Sequence, residues 1–241
     1  MTAMSFTSTL LEKIPRSIDT TSYRFSRPPE YGFKAGQWYT VAIASPGGPL
    51  DHHFSHADSP TEPFIELTTR LTGSDFKNAL DALPIGAKVE IEGPYGQFLF
   101  RYGTPKIAFL TGGIGVTPVR SMLRYLADTG GAGRAEGQEL VVFYGSMTED
   151  GIVYRSEFEE FERTIARLRV VHVITTPTPR WWGYRGFITA ATIKAELREP
   201  RAWTYYIVGP PPMITAMGKV MSELEIPQDQ TLVESFAGYA S

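Results

Sequence analysis

Two rhythms of apolar and polar residues divide this chain. Between residues 5 and 100, short runs such as Trp38 to Ile43, Phe64 to Thr69 and Lys88 to Ile91 are separated by turn residues. That is the pattern of an antiparallel sheet, in which successive side chains point to opposite faces. Pro46-Gly47-Gly48-Pro49 and Gly93-Pro94-Tyr95-Gly96 punctuate the runs, and one short helical stretch, Ser74 to Ala82, interrupts them. An antiparallel barrel is expected here.

Beyond residue 104 the rhythm changes. Apolar runs at Ile107 to Thr111, Leu140 to Tyr144, Val170 to Ile174 and Thr204 to Val208 read as buried strands. Helical segments follow them at Pro118 to Ala127, Ser156 to Ala166, Ala190 to Leu197 and Met213 to Glu223. Strand alternating with helix predicts an α/β domain with a parallel sheet and helices on both faces. The change falls at Arg101-Tyr102-Gly103-Thr104-Pro105, giving a first domain over residues 1–102 and a second over 103–241. Gly130-Gly131-Ala132-Gly133 reads as a loop inside the second domain.

Composition narrows the function. With 20% charged and 42% hydrophobic residues, the 241-residue chain has the make-up of a packed globular protein. A net charge of -3 offers no field for a nucleic acid or an anionic membrane. No apolar run approaches the roughly 20 residues of a membrane span, and the start MTAMSFTSTLLEKIPRS lacks a signal peptide's regions. A cytoplasmic location is expected. Cysteine is absent, so the chain itself cannot ligate an iron–sulfur cluster or a thiolate zinc, and any such centre belongs to a partner.

Candidate chemistry begins at Thr111-Gly112-Gly113-Ile114-Gly115-Val116-Thr117-Pro118, which follows a strand and opens a helix. Backbone amides at such a turn can face a pyrophosphate, and glycine lets it approach closely. Thr117 suits a helix cap and Pro118 the first helical position. Alone, the pattern equally fits a tight turn with no ligand. A second turn, Val208-Gly209-Pro210-Pro211-Pro212-Met213, also sits between strand and helix. Two such turns at one carboxyl edge point to a bound dinucleotide.

The order of motifs resembles the ferredoxin-NADP reductase family of flavin reductases, over nearly the whole chain. His52-His53-Phe54-Ser55 stands where that family has Arg, any residue, Tyr or Phe, then Ser or Thr. Gly93 to Phe98 resembles its end-of-barrel motif, Gly112 to Pro118 its dinucleotide loop, and Gly209 to Met213 a loop that usually begins with Cys. Glu234-Ser235-Phe236-Ala237-Gly238-Tyr239 resembles its C-terminal segment.

The resemblance implies a Greek-key flavin barrel, FAD rather than FMN, and NADH or NADPH as reductant. It places Phe54 beside the flavin, Ser55 near N5, and Glu234 with Ser55 in proton movement. Phe236 or Tyr239 would cover the flavin face, and Trp181 and Trp182 would flank the dinucleotide. A neutral histidine at His52 offers a phosphate less charge than the family's arginine. Thr69 and Arg70 end a barrel strand just before Gly73 and Ser74, where amides at a helix start suit the flavin pyrophosphate. Arg70 is the expected compensating cation. Without the resemblance, Phe54 reads as core, Glu234 as a solvated carboxylate and Ser74 as an ordinary cap.

The function implied is hydride transfer from the dinucleotide to the flavin, with electrons passed to a separate acceptor protein or small acceptor. A regulatory module that binds either ligand without turnover is the alternative. A dehydrogenase acting on an alcohol would need a proton-relay pair that the sequence does not offer. A metal site is not expected from His52, His53 and His56, because His52 and His53 are adjacent on a strand and point apart. In the ribose-facing loop, Gly145-Ser146-Met147-Thr148-Glu149-Asp150 has no Arg or Lys for a 2'-phosphate, which favours NADH.

Overall fold

The computed structural model describes residues 3–130 and 137–236. Its first sheet is built from β1 (Met4–Ser17), β2 (Thr20–Ser26), β3 (Trp38–Ile43), β4 (Leu50–Ser55), β5 (Phe64–Arg70) and β6 (Lys88–Tyr95), with helix α1 (Asp75–Ala82) between the last two. All ladders are antiparallel, in the order β4-β3-β6-β1-β2-β5. No ladder joins β4 to β5 among the described residues, so the expected barrel is a half-barrel open on that side. β1 reaches around it by serving two partners, β6 through Met4 to Thr9 and β2 from Leu10 onward, with register breaks at Leu10/Glu12 and Pro15/Ser17. Bulges of this kind bend a strand and strengthen its twist.

The second sheet is wholly parallel, as the continuous apolar runs require when both faces are covered. It comprises β7 (Lys106–Gly112), β8 (Glu139–Ser146), β9 (Leu168–Ile174), the short β10 (Tyr184–Arg185), β11 (Thr204–Gly209) and β12 (Thr231–Ser235). Helices α2 (Val116–Thr129), α3 (Arg155–Thr164), α4 (Ala190–Glu196) and α5 (Pro211–Glu223) cover it. The order β10-β9-β8-β7-β11-β12 reverses direction between β7 and β11. A crevice opens at such a switch point, outside the carboxyl ends of the strands.

Helix starts differ from the sequence reading. A 3-10 turn over Gly113–Gly115 continues directly into α2, so Gly115 is the cap and Thr117 lies inside the helix, its hydroxyl donating to the Ile114 carbonyl at 3.2 Å. Pro211 and Pro212 are not a loop that precedes α5. They are its first residues, where a fixed φ and a missing N–H cost nothing. The sequence reading also missed β12, a short edge strand.

One hydrophobic core runs through both halves. Ala35, Ala57, Phe98 and Phe100 from the first half pack with Phe109, Val119, Tyr144 and Phe158 from the second. Beside this core an ion network crosses the same boundary. Arg120 on α2, only 2% exposed, bonds Glu62 at 2.5 Å, Glu157 on α3 at 2.8 Å and the Ala57 carbonyl at 2.8 Å. Glu66 on β5 accepts from Arg16 at 3.0 Å, Arg24 at 2.7 Å and Tyr154 at 2.8 Å.

Candidate functional site

β4 positions the first group of candidate residues. Strand alternation places Leu50, His52 and Phe54 half-buried on one face and Asp51 and His53 exposed on the other. On the first face, His52 lies against Phe54 with ring centroids 5.0 Å apart, and both reach Phe76 of α1 at 5.6 Å. Burial, then His53 and Lys77, lower the pKa of His52, so its imidazole is neutral at neutral pH. His53 instead packs edge-on to Trp38 at 5.6 Å, and Trp38 meets Tyr95 at 4.8 Å. His52 and His53 therefore point apart, as their adjacency requires. His56 is fully buried between Tyr31 and Asp58, at 3.0 Å from each, and stacks on Phe33.

Ser55 ends β4 and is 5% exposed. Its hydroxyl donates to Glu234 Oε1 at 2.8 Å, across 179 residues of sequence. Glu234 sits on β12 opposite Val208, so this bond ties the half-barrel to the carboxyl edge of the parallel sheet. Burial pushes the Glu234 carboxyl up to about 7, and the Ser55 hydrogen bond only partly opposes it. At neutral pH this carboxyl is poised between its two protonation states.

The carboxyl edge brings the two turns together. Met213 is the link: a Cβ on Gly112 or on Gly209 would stand 2.7 or 2.8 Å from its sulfur. A Cβ on Gly115 would collide with the Val208 carbonyl at 2.6 Å. Gly112, Gly115 and Met213, expected as ligand contacts, are thus already accounted for by the packing of one turn on the other. Gly113 differs, with φ 53 and open space beside its Cα. Thr111 Oγ1, in the penultimate position of β7, is buried with no hydrogen-bond partner among the described residues. Gly145 and Ser146 end β8 on the same edge, with Ser146 buried. Pro210 caps α5, and Pro211 is exposed.

Around α1, Gly73 takes φ 81 with open space at its Cα, and Ser74 occupies the helix cap without a side-chain cap bond. Thr69 is buried on β5. Arg70 does not face this loop as a lone cation, because its Nε bonds Asp19 at 2.5 Å. Sequence reasoning missed Lys77, one turn further on, which is 4% exposed and donates to Thr72 Oγ1 at 3.1 Å. A lysine on an otherwise apolar helix face was the available signal.

The remaining candidates are aromatic. Phe236 packs against the shared core, and its N–H donates to the Gly209 carbonyl at 3.2 Å. Tyr239 lies outside the described residues, as do Gly131, Ala132 and Gly133. Trp181 packs on the same core, whereas Trp182 is 95% exposed.

Residues 109–219 match the family model described as the oxidoreductase NAD-binding domain. The chain is 35% identical over 161 residues to ferredoxin-NADP reductase B of Sorangium cellulosum, an alignment covering 66% of this chain and 64% of that protein. It is 28% identical to NADH-cytochrome b5 reductase 1 of Aspergillus terreus, over 89% of this chain and 76% of that one. The ferredoxin reductase in carbazole 1,9a-dioxygenase superposes with a TM-score of 0.83 at 25% identity, covering 98% of this chain and 70% of its own. Half-barrel, switch-point crevice and motif order agree with these matches. Residues 109–219 match an oxidoreductase NAD-binding domain, and the chain is similar to ferredoxin-NADP reductases and cytochrome b5 reductases in sequence and fold.

Proposed function

We propose that this protein takes a hydride from a reduced nicotinamide dinucleotide onto FAD and passes the electrons to a separate acceptor, a protein or a small molecule, in the cytoplasm. Residues 1–102 hold the flavin and 103–241 the dinucleotide. The observation that carries the reading is the Ser55–Glu234 bond, which sets a titratable carboxyl where the two halves meet.

The residues fit both ligands. The aromatic wall of His52, Phe54 and Phe76 suits one side of a flavin, and the loop at Gly73 and Ser74 suits its phosphates. The unpartnered Thr111 hydroxyl and the open backbone at Gly113 suit a pyrophosphate at the switch point. When bound, the flavin supplies the hydride acceptor and the capacity to release electrons singly. The protein's part is placement and proton handling. Phe54 and Phe76 exclude water from one side, Ser55 holds Glu234 in place, and Glu234 stores or releases a proton near neutral pH.

NADH is the preferred reductant on this reading. Met147 is 58% exposed just after β8, where a 2'-phosphate calls for a cation. Glu149 nearby accepts from the Thr178 hydroxyl at 2.6 Å and its N–H at 2.9 Å, and these bonds hold its carboxyl below the usual range. Arg155 is engaged with Glu159.

Anaerobic addition of NADH to the purified, flavin-loaded protein tests the proposal. The yellow absorbance should bleach within one turnover and return when a one-electron acceptor such as ferricyanide is added. A flavin that binds but is not reduced would leave a binding module without turnover.

A further inference from the structure

A hydride crosses only between atoms held about 3–3.5 Å apart, so the two halves of the molecule must keep their ligands at one separation. The apolar packing between them is non-directional and sets no such distance. Directional bonds do, and Arg120 supplies them. It stands on α2 five residues after Gly115, about 7.5 Å along the helix from the end of the dinucleotide turn. Its side chain is 2% exposed, and all five guanidinium N–H groups find an acceptor: the Ala57 carbonyl at 2.8 Å, Glu62 at 2.5 and 3.0 Å, and Glu157 at 2.8 and 3.0 Å.

Ala57 and Glu62 belong to the half-barrel, in the segment that joins β4 to β5. Ala57 follows Ser55 by two residues, about 7 Å of extended chain at most. The segment is itself held in shape, since the Ser121 hydroxyl donates to the Asp58 carbonyl at 2.5 Å and the Ser59 N–H donates to Glu62 at 2.7 Å. One set of bonds thus connects the turn at Gly113 and Gly115 to Ser55, with a short stretch of backbone at either end. A buried ion cluster is costly to desolvate, and apolar side chains of the same volume often stabilise a fold as well. What apolar side chains do not supply is a fixed angle and distance.

We propose that Arg120 is a positioning residue for hydride transfer: by clamping the start of α2 to the segment after Ser55, it sets the distance at which the nicotinamide meets the flavin. The inference rests on the flavin reading above and names the contact that keeps the two ligands in register.

Anaerobic stopped-flow reduction over a range of NADH concentrations tests it, with FAD affinity followed by flavin fluorescence and stability by urea unfolding. Arg120→Met should slow reduction at saturating NADH by about 10- to 100-fold, the cost of misplacing a reacting atom by about 1 Å, while FAD affinity and the half-saturating NADH concentration stay near the parent's. Arg120→Lys, which keeps the charge but reaches fewer acceptors, should fall between the two. Arg124→Met is the control. Arg124 lies one turn further along α2 and bonds Glu157, Glu160 and Asp128, all in the second half, so its loss should lower stability and leave the reduction rate unchanged. An unchanged rate in Arg120→Met, a fall matched by Arg124→Met, or a fall that excess NADH relieves would overturn the assignment while leaving the flavin reading intact. A parent whose bound flavin NADH does not reduce would overturn both. Should Arg120→Met fail to fold, Glu62→Ala removes the half-barrel's carboxylate and leaves Arg120 paired with Glu157; it should slow reduction in the same way, and an unchanged rate there overturns the assignment equally.

Discussion

Among the glutamates that bond across the boundary between the two halves are Glu66, to Tyr154, and Glu234, to Ser55. Their surroundings shift their proton affinities in opposite directions. Glu66 is fully buried, and burial alone would raise its pKa; Arg120, Arg16, Arg24 and Tyr154 together outweigh burial and hold it ionised below the usual range. Glu234 is less buried, yet burial pushes it up to about 7 because only the Ser55 hydroxyl opposes the shift. The depth of a carboxylate therefore says little about its charge. The number of cations aimed at it decides. One glutamate serves as structure and the other is left free to exchange a proton.

The largest effect should come from breaking the first arrangement. Glu66→Gln leaves Arg16 and Arg24 facing an uncharged partner in a desolvated site, which typically costs about 3–5 kcal/mol. Denaturant unfolding at pH 7 measures the loss. The sign with pH follows from a depressed carboxyl: its contribution is full above the ordinary carboxylate range and fades as pH falls through the lowered value. The difference between Glu66→Gln and the parent should therefore shrink as pH falls through the lowered value. A loss that stays constant as pH falls would show that Glu66 is not the ionised anchor.

Glu234→Gln should have the opposite profile. Stability changes little, or rises above pH 7 where a half-buried carboxylate is no longer ionised, whereas flavin reduction by NADH slows by about 10- to 100-fold. The dependence of that rate on pH around 7 should disappear with the carboxyl. Stopped-flow reduction across pH 6 to 8 measures both. A slower rate that keeps its inflection near 7 would move the titrating group elsewhere.

Much of this contrast was hidden in the sequence, for physical reasons. The parallel strands were legible because Ile107 to Thr111 and Thr204 to Val208 are continuous apolar runs that only a doubly covered sheet explains. β12 was not, since it is a five-residue edge strand with Val233 half-exposed. Ser55 and Glu234 were named as a pair only through the family resemblance, and their 2.8 Å bond spans 179 residues that no local pattern connects. Glu66 was invisible as a buried charge, because Arg120 lies on a helix it meets only in the fold and Arg16 and Arg24 lie on other strands. The bond of Arg70 to Asp19 was hidden for the same reason, since the two are 51 residues apart.

The rule that nearby cations decide which anion a site tolerates extends to the ribose loop. On the proposed placement of the dinucleotide, Met147→Arg adds a guanidinium near its ribose, and one charge-assisted contact to a 2'-phosphate is worth about 1.5 to 3 kcal/mol. Exposure and the ionised Glu149 reduce this, so the ratio of kcat/KM for NADPH over NADH should rise by about tenfold. Steady-state kinetics with both dinucleotides would show it. A parent enzyme already faster with NADPH would mean that another cation reads the phosphate.

The smallest effect is the most direct reading of the contrast. In Glu66 several partners lower the pKa, so removing one hydroxyl, as in Tyr154→Phe, leaves three arginines to keep it ionised. In Glu234 the Ser55 hydroxyl is the lowering influence, so Ser55→Ala should let the carboxyl rise further above 7. A hydrogen bond of this kind favours the ionised form by about 1 kcal/mol, which corresponds to a rise of about 0.7 pH unit. Difference infrared spectroscopy of the carboxyl stretch, titrated in both variants against Glu234→Gln, resolves a movement of that size. A rise in Ser55→Ala with no shift in Tyr154→Phe is the expected pair of results. If Glu234 titrates unchanged without the Ser55 hydroxyl, then burial alone sets its proton affinity, and Ser55 orients the carboxyl without tuning it.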